Sequence, residues 1–196
     1  MFDGRQSLFV KERVAILKLT DTYDILEADQ GQTIGMAKDE PATWAKLLRL
    51  LVKKALLPTT VRVYEANTPQ PVLQIRKRPM LFRGRLEVQD GHGRLLVTMR
   101  SKFFSLGGAF EVKDAYGMDL GQIKGDWKGW NFTATLADGS PWGVITKKWA
   151  GLAKEFFTNA DQYLVQVDPS QAQRPDALAM LLGLALAIDL TYKEQQ

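Results

Sequence analysis

Along most of the chain apolar and polar residues alternate, and near its end the alternation stops in an unbroken apolar run. From Ala177 to Ile188 twelve residues pass without a polar side chain. A helix that is apolar on every face leaves no side for water and must be buried. The run is shorter than the roughly 18–20 residues that cross a bilayer, so no transmembrane span is expected. Asp176 and Asp189 close it at its two ends, with Pro175 just before the start. The pattern predicts a core helix carrying Leu178, Leu181, Leu182, Leu184, Leu186 and Ile188; a membrane-inserting hairpin or anchor is the alternative.

The alternating part divides at turn signals. Tyr23 and Ile25, the Asp29-Gln30-Gly31 turn, then Thr33 and Ile34 read as a hairpin. From Val61 a module repeats: Asp90, Asp114 and Asp138 recur every 24 residues, each in a turn between two strand patterns. Leu86-Glu87-Val88 and Leu95 to Met99 flank the first, Phe110-Glu111-Val112 and Gly121-Gln122-Ile123 the second. Phe132 to Leu136 and Gly143-Val144-Ile145 flank the third. Val61 to Tyr64 with Val72 to Ile75 is a looser copy. Five hairpins, a leading strand near Leu8 and a final one at Tyr163–Val167 make about twelve strands. So many antiparallel strands either stack as a sandwich or close to remove their edges. A closed barrel of that size has more interior than its own side chains fill, and the apolar run supplies the filling. The expected fold is therefore mainly β: a closed antiparallel barrel around a central C-terminal helix, in one domain over 1–196.

Between Pro41 and Pro58 the period changes. Trp44, Leu47, Leu48, Leu51, Ala55 and Leu56 fall three and four apart, with Lys46, Arg49, Lys53 and Lys54 in the gaps. That predicts an amphipathic basic helix over about 41–57. Such a helix lies on an anionic bilayer or packs its apolar stripe on its own protein.

Charge sharpens the picture. From Lys46 to Lys102 thirteen Lys or Arg face three acids, a charge of +10, while the rest carries −6 within a total of +4. The densest cluster is Arg76-Lys77-Arg78, and Trp127-Lys128-Gly129-Trp130 and Lys147-Lys148-Trp149 interleave cations with indoles. Such asymmetry points to an anionic partner, a membrane surface before nucleic acid. The tryptophans themselves are expected to turn inward against the helix.

Catalytic chemistry finds little material. There is no cysteine, and the one histidine, His92, lies in a Gly-His-Gly turn. The turn aspartates cap their own backbone, and Gly107-Gly108 lacks the lysine and helix of a phosphate loop. No enzyme activity, metal or cofactor is expected. The N-terminus lacks the design of a secretory signal, so the expected location is cytoplasmic, peripheral at the inner membrane face.

Several blocks resemble the tubby-like superfamily, and within it the LURP-one-related and phospholipid-scramblase-like branch. They are Ser101 to Gly107, Phe110 to Asp114, Ile145 to Trp149, Phe157 to Tyr163 and the terminal Leu184-Ala185-Leu186-Ala187-Ile188-Asp189. The resemblance runs from about Leu8 to Tyr192, with the basic helix as an elaboration. It implies a twelve-stranded barrel around one helix, and a non-enzymatic domain that binds anionic lipid or moves lipid between leaflets. The acidic calcium segment and cysteine cluster of eukaryotic scramblases are absent: only Asp161 and Asp168 stand in the corresponding stretch, too few carboxylates for calcium. The residues expected to meet anionic lipid are Trp44, Lys46, Arg49, Lys53, Lys54, Arg76, Lys77 and Arg78, with a lipid-scrambling protein and a nucleic-acid- or protein-binding scaffold as alternatives.

Overall fold

The computed structural model describes residues 2, 4–13, 20–41, 57–78, 85–102, 108–147 and 162–193. The helix expected over about 41–57 falls almost wholly outside them. Twelve antiparallel strands follow in order: β1 (Ser7–Glu12), β2 (Thr22–Glu27), β3 (Thr33–Asp39), β4 (Thr59–Glu65), β5 (Leu73–Lys77) and β6 (Arg85–Asp90). Then come β7 (Leu95–Ser101), β8 (Ala109–Asp114), β9 (Asp119–Asp126), β10 (Asn131–Leu136), β11 (Pro141–Thr146) and β12 (Gln162–Val167). A short 3-10 turn at Pro169–Gln171 leads to helix α1 (Ala177–Lys193). Each strand pairs with its sequence neighbours, and β1 pairs with β12 to close the barrel.

The repeat seen in the sequence is a repeat of turn chemistry. The Asp90 carboxylate accepts from the backbone N–H of His92 at 3.0 Å and of Arg94 at 2.8 Å. Asp114 does the same with Tyr116 and Met118, each at 2.9 Å. Gly93 and Gly117 then take the left-handed φ values of +83° and +84° that a side chain would resist. The third copy is offset. Gly139 (φ +85°) donates to Leu136 O, so Leu136 holds the place of Asp90, and Asp138 sits two residues later, accepting from Ser140 N at 2.8 Å. The ladder irregularities at Val88/Gln89, Val112/Lys113 and Ala134/Thr135 follow the glycines rather than the aspartates.

Alternation sends one side chain in two toward the axis. Val61 and Val63, Leu73 and Ile75, Val97 and Met99, Phe110 and Val112 join one core with α1. On that helix Leu178, Leu181, Leu182, Leu184, Leu186 and Ile188 are all buried. Helix and wall meet at glycines. A Cβ on Gly143 of β11 would stand 2.7 Å from Leu181 Cδ2, and one on Gly183 of α1 would stand 2.5 Å from Val88 Cγ1.

Gly183 tests this fit. Leucine there gains helix propensity over glycine, by up to about 1 kcal/mol, but overpacking a filled core costs about 1–3 kcal/mol. Gly183→Leu is expected to lower the urea midpoint of unfolding with an unchanged slope; an equal or higher midpoint would mean that α1 does not press on β6.

Candidate functional site: the loop end of the barrel

In an up-and-down barrel successive connections fall at alternate ends. The connections after β1, β3, β5, β7, β9 and β11 share one end, and these include the long ones at 40–58 and 147–161. The opposite end carries the short turns at 91–94, 115–118 and 137–140, while the short turn at 127–130 belongs to the loop end. α1 starts at the turn end and runs to the loop end.

That loop end gathers the cations. Arg13, Arg78, Arg85, Lys102, Lys128 and Lys147 lie at its rim, with Glu12, Asp21, Glu40 and Asp126 among them, whereas Asp90, Asp114, Asp138 and Asp168 lie at the turn end with Arg94 and Arg174. Some rim cations are paired: Arg13 Nε donates to Asp24 at 2.9 Å, and Lys102 Nζ stands 3.3 Å from Glu111 Oε1. Arg62 donates to Glu40, and so does Tyr64 Oη, at 2.9 Å. Burial pushes the Glu40 carboxyl up, but these two hydrogen bonds outweigh it and hold it below the usual range.

Of the residues singled out in the sequence, Arg76 is exposed on β5 and Arg78 reaches Glu87 with Nη2 at 3.1 Å. Lys77 departs from the expectation of a surface cation. It shares the inward face of β5 with Leu73 and Ile75 and is 9% exposed, because alternation within one strand cannot present three consecutive residues to the same side. Trp44, Lys46, Arg49, Lys53 and Lys54 lie outside the described residues, in the connection from β3 to β4. The inward tryptophan expectation holds for Trp130, which packs in the core, and fails for Trp127, which is 38% exposed.

Trp127 caps the mouth. Its ring stacks on Tyr192 of α1, centroids 5.6 Å apart at 13°. Lys128 Nζ stands 5.8 Å from the Trp127 ring centroid, and Lys147 Nζ 5.5 Å from that of Trp130. A Cβ on Gly108 would come within 2.1 Å of the Tyr192 hydroxyl, so the chain passes there without a side chain. The sequence signal for this group was the interleaving of indoles and lysines; its partner Tyr192 carried none.

Beneath the aromatic cap the interior turns polar. Tyr23 Oη donates to Asp189 Oδ2 at 2.5 Å, both groups buried. Burial first, and the Asp189 carboxylate second, push the Tyr23 phenol well above its ordinary 10.0. Burial, then Asp189 and Glu12, does the same to Tyr163. Both phenols stay neutral, and Tyr23 is a donor to Asp189. No group of three or more His, Cys, Asp or Glu among the described residues could hold a metal ion. Asp168 caps the 3-10 turn by accepting from Ser170 N at 3.0 Å. A cleft of about 480 Å³ at the turn end, where α1 begins, is lined by Arg5, Gln6, Arg174 and Asp176 among others, with no nucleophile beside a base.

Residues 128–195, about a third of the chain, match the family model described as Scramblase. The barrel is similar to the X-ray structure of a protein from Arabidopsis thaliana, with a TM-score of 0.54 at 13% identity, over 94% of this chain and 92% of that one. No curated protein matches. The Scramblase match supports the resemblance to the scramblase-like branch over those residues, and the likeness to the Arabidopsis structure supports the fold. No helix among the described residues is long and apolar enough to cross a membrane.

The buried phenols make an alkaline prediction. A phenol held above 10.0 when folded contributes its stability in full below pH 10.0 and loses it as pH climbs past that value. Unfolding free energy is therefore expected to fall steeply above pH 10.0, and two of the five tyrosines to ionise only with unfolding. Five smooth titrations in the folded protein would contradict it.

Proposed function

We propose that this chain, acting as one domain over 1–196, is a non-enzymatic tubby-like module. It rests its loop end on an anionic phospholipid surface, or takes a lipid-like ligand there, at the cytoplasmic face of a membrane. The observation that carries this reading is the segregation of charge. The rim cations share the end of the barrel that bears the half-exposed Trp127, and Asp90, Asp114, Asp138 and Asp168 are held at the other. The connection from β3 to β4 starts and finishes at that end too, and this reading assigns its Trp44, Lys46, Arg49, Lys53 and Lys54 to the same surface.

Each Lys or Arg near an anionic leaflet contributes about 1 kcal/mol, so four to six engaged at once give reversible binding. An indole at the headgroup level adds an interfacial anchor. A second reading, lipid scrambling, is favoured by the Scramblase match because residues 128–195 include α1. It requires α1 to leave the barrel, and its 17 residues span about 26 Å against a hydrocarbon core of about 30 Å.

Co-sedimentation with vesicles tests the proposal. Vesicles of phosphatidylcholine with phosphatidylserine are expected to carry the protein down at 0.1 M salt, and pure phosphatidylcholine vesicles to leave it in solution. The binding is expected to vanish at 1 M salt, where the screening length shrinks from about 10 Å to about 3 Å. Lys128→Glu with Lys147→Glu weakens it, and Trp127→Ala weakens it without changing its salt dependence. Indifference to both vesicle types together with a gel shift of RNA or DNA would end the lipid reading. Dye-quench flipping in reconstituted vesicles decides on scrambling separately.

A further inference from the structure

The barrel axis carries a charge difference that its connections impose. At the turn end, residues 4–6, 27–33, 65–73, 90–95, 114–119, 136–141 and 167–177 hold nine acids and three arginines, a charge of −6. By sequence, the stretches that join strands at the loop end are 11–22, 38–60, 77–85, 101–109, 125–131 and 146–162. They hold seventeen Lys or Arg and seven acids, a charge of +10. The remaining residues sum to zero, so the net +4 is what two opposed ends leave. Turn formation does not discharge the acidic end. Hydrogen bonds from the hydroxyl and backbone N–H of Ser140 and of Ser170 hold the Asp138 and Asp168 carboxyls below the usual range.

The acidic end also bears the two most exposed large apolar side chains among the described residues, Tyr116 at 93% and Met118 at 67%. Both stand on the turn from β8 to β9, and that turn is fixed. The Asp114 carboxylate accepts from Tyr116 N and Met118 N at 2.9 Å each, with Gly117 in the left-handed region at φ +84°. Tyr and Met are enriched at protein interfaces, and a knob already held in place loses little freedom on docking. Met118 adjoins the first residue of β9, and Trp127, the exposed indole of the loop end, adjoins its last. One strand thus carries an apolar knob at each end of the barrel.

We infer that copies of this chain associate head to tail, the loop end of one barrel seated on the turn end of the next. The chain itself supplies the matching partner: an acidic end with an apolar knob is complemented by its own basic end with an indole. Opposite charge attracts unlike ends and like charge repels like ends, which sets the direction of docking. Such a contact is heterologous, so each pair leaves one free end of each kind and further copies add on. The inference goes beyond the membrane-surface reading and competes with it, because a loop end seated on a neighbour is withheld from a leaflet.

Sedimentation velocity without membranes tests it. At about 0.01 M salt, with a screening length of about 30 Å, the average sedimentation coefficient is expected to rise with protein concentration. At about 1 M salt, where that length is about 3 Å, the protein is expected to run as a monomer. Tyr116→Lys with Met118→Lys blunts the turn end, and Lys128→Glu with Lys147→Glu blunts the loop end. Either variant alone is expected to associate about tenfold or more weakly than the parent. Mixed where each alone is monomeric, the two are expected to form a one-to-one dimer and nothing longer, since one intact pair of ends remains. All four side chains are exposed, so the thermal melt serves as a control for folding.

A monomer under every condition overturns the inference and leaves the vesicle experiment untouched. Undiminished self-association of the turn-blunted variant means loop-to-loop contact, and that of the loop-blunted variant means turn-to-turn contact; either overturns it. Association that strengthens with salt overturns it as well.

Discussion

A helix with apolar side chains all round can end only in an enclosure, and the rest of this chain is the enclosure. α1 sets the number of strands, because a smaller barrel fills with its own side chains and leaves no lumen. It also sets where side chains must be missing, at Gly143 on the wall and Gly183 on the helix. Its one carboxylate, Asp189, falls at the end where it meets Tyr23. A buried carboxylate is costly unless hydrogen-bonded, so this contact fixes how far the helix slides along the axis, a register that an apolar run alone leaves loose.

With its lumen filled, the protein has only its exterior to work with. Closure removes every strand edge, so recognition by strand addition is unavailable to the described barrel. What remains is the outer wall and the two ends, and meander topology makes the ends unequal. Tight turns suit one end, where aspartates satisfy their own backbone N–H groups. Longer connections collect at the other, and with them most of the cations. Part of the charge separation follows from turn chemistry, since the short turns after β6, β8 and β10 each use an aspartate at that end.

The turn chemistry was legible because Asp-to-Gly turns are local: four or five residues contain the whole signal. The count of twelve strands followed from it, and so did the closed barrel around a helix. Other features needed a register that one sequence does not display. The 24-residue spacing of the aspartates places Asp138 in line with Asp90, yet the third turn is two residues out of phase, and only the glycine positions reveal it. Lys77 looked like the middle of a cationic triplet and lies inward, because β5 begins its inward phase at Leu73. Trp127 and Trp130 looked equivalent. A turn between them, in which Trp130 adopts φ +46°, sends one to the rim and the other to the core. The basic run of 46–102 was read as one segment. Folding distributes it, taking Arg94 to the turn end with Asp90 at 2.9 Å and Arg78, Arg85 and Lys102 to the rim of the loop end.

These energetics also weigh the two lipid readings against each other. If α1 moved into a bilayer, its own leucines would exchange one apolar setting for another at little cost. The wall would not. Val61, Val63, Leu73, Ile75, Val88, Val97, Met99, Val112, Ile123 and Ile145 face the helix region from inside, and they would line an emptied lumen. Burial of each such side chain is worth about 1.5–3 kcal/mol, so even a few of them account for the whole of an ordinary domain's stability, about 5–15 kcal/mol. Surface cations at about 1 kcal/mol each cannot compensate for that. An intact barrel resting on a leaflet needs no such compensation, and for that reason the proposed surface association agrees better than scrambling with how this molecule is held together.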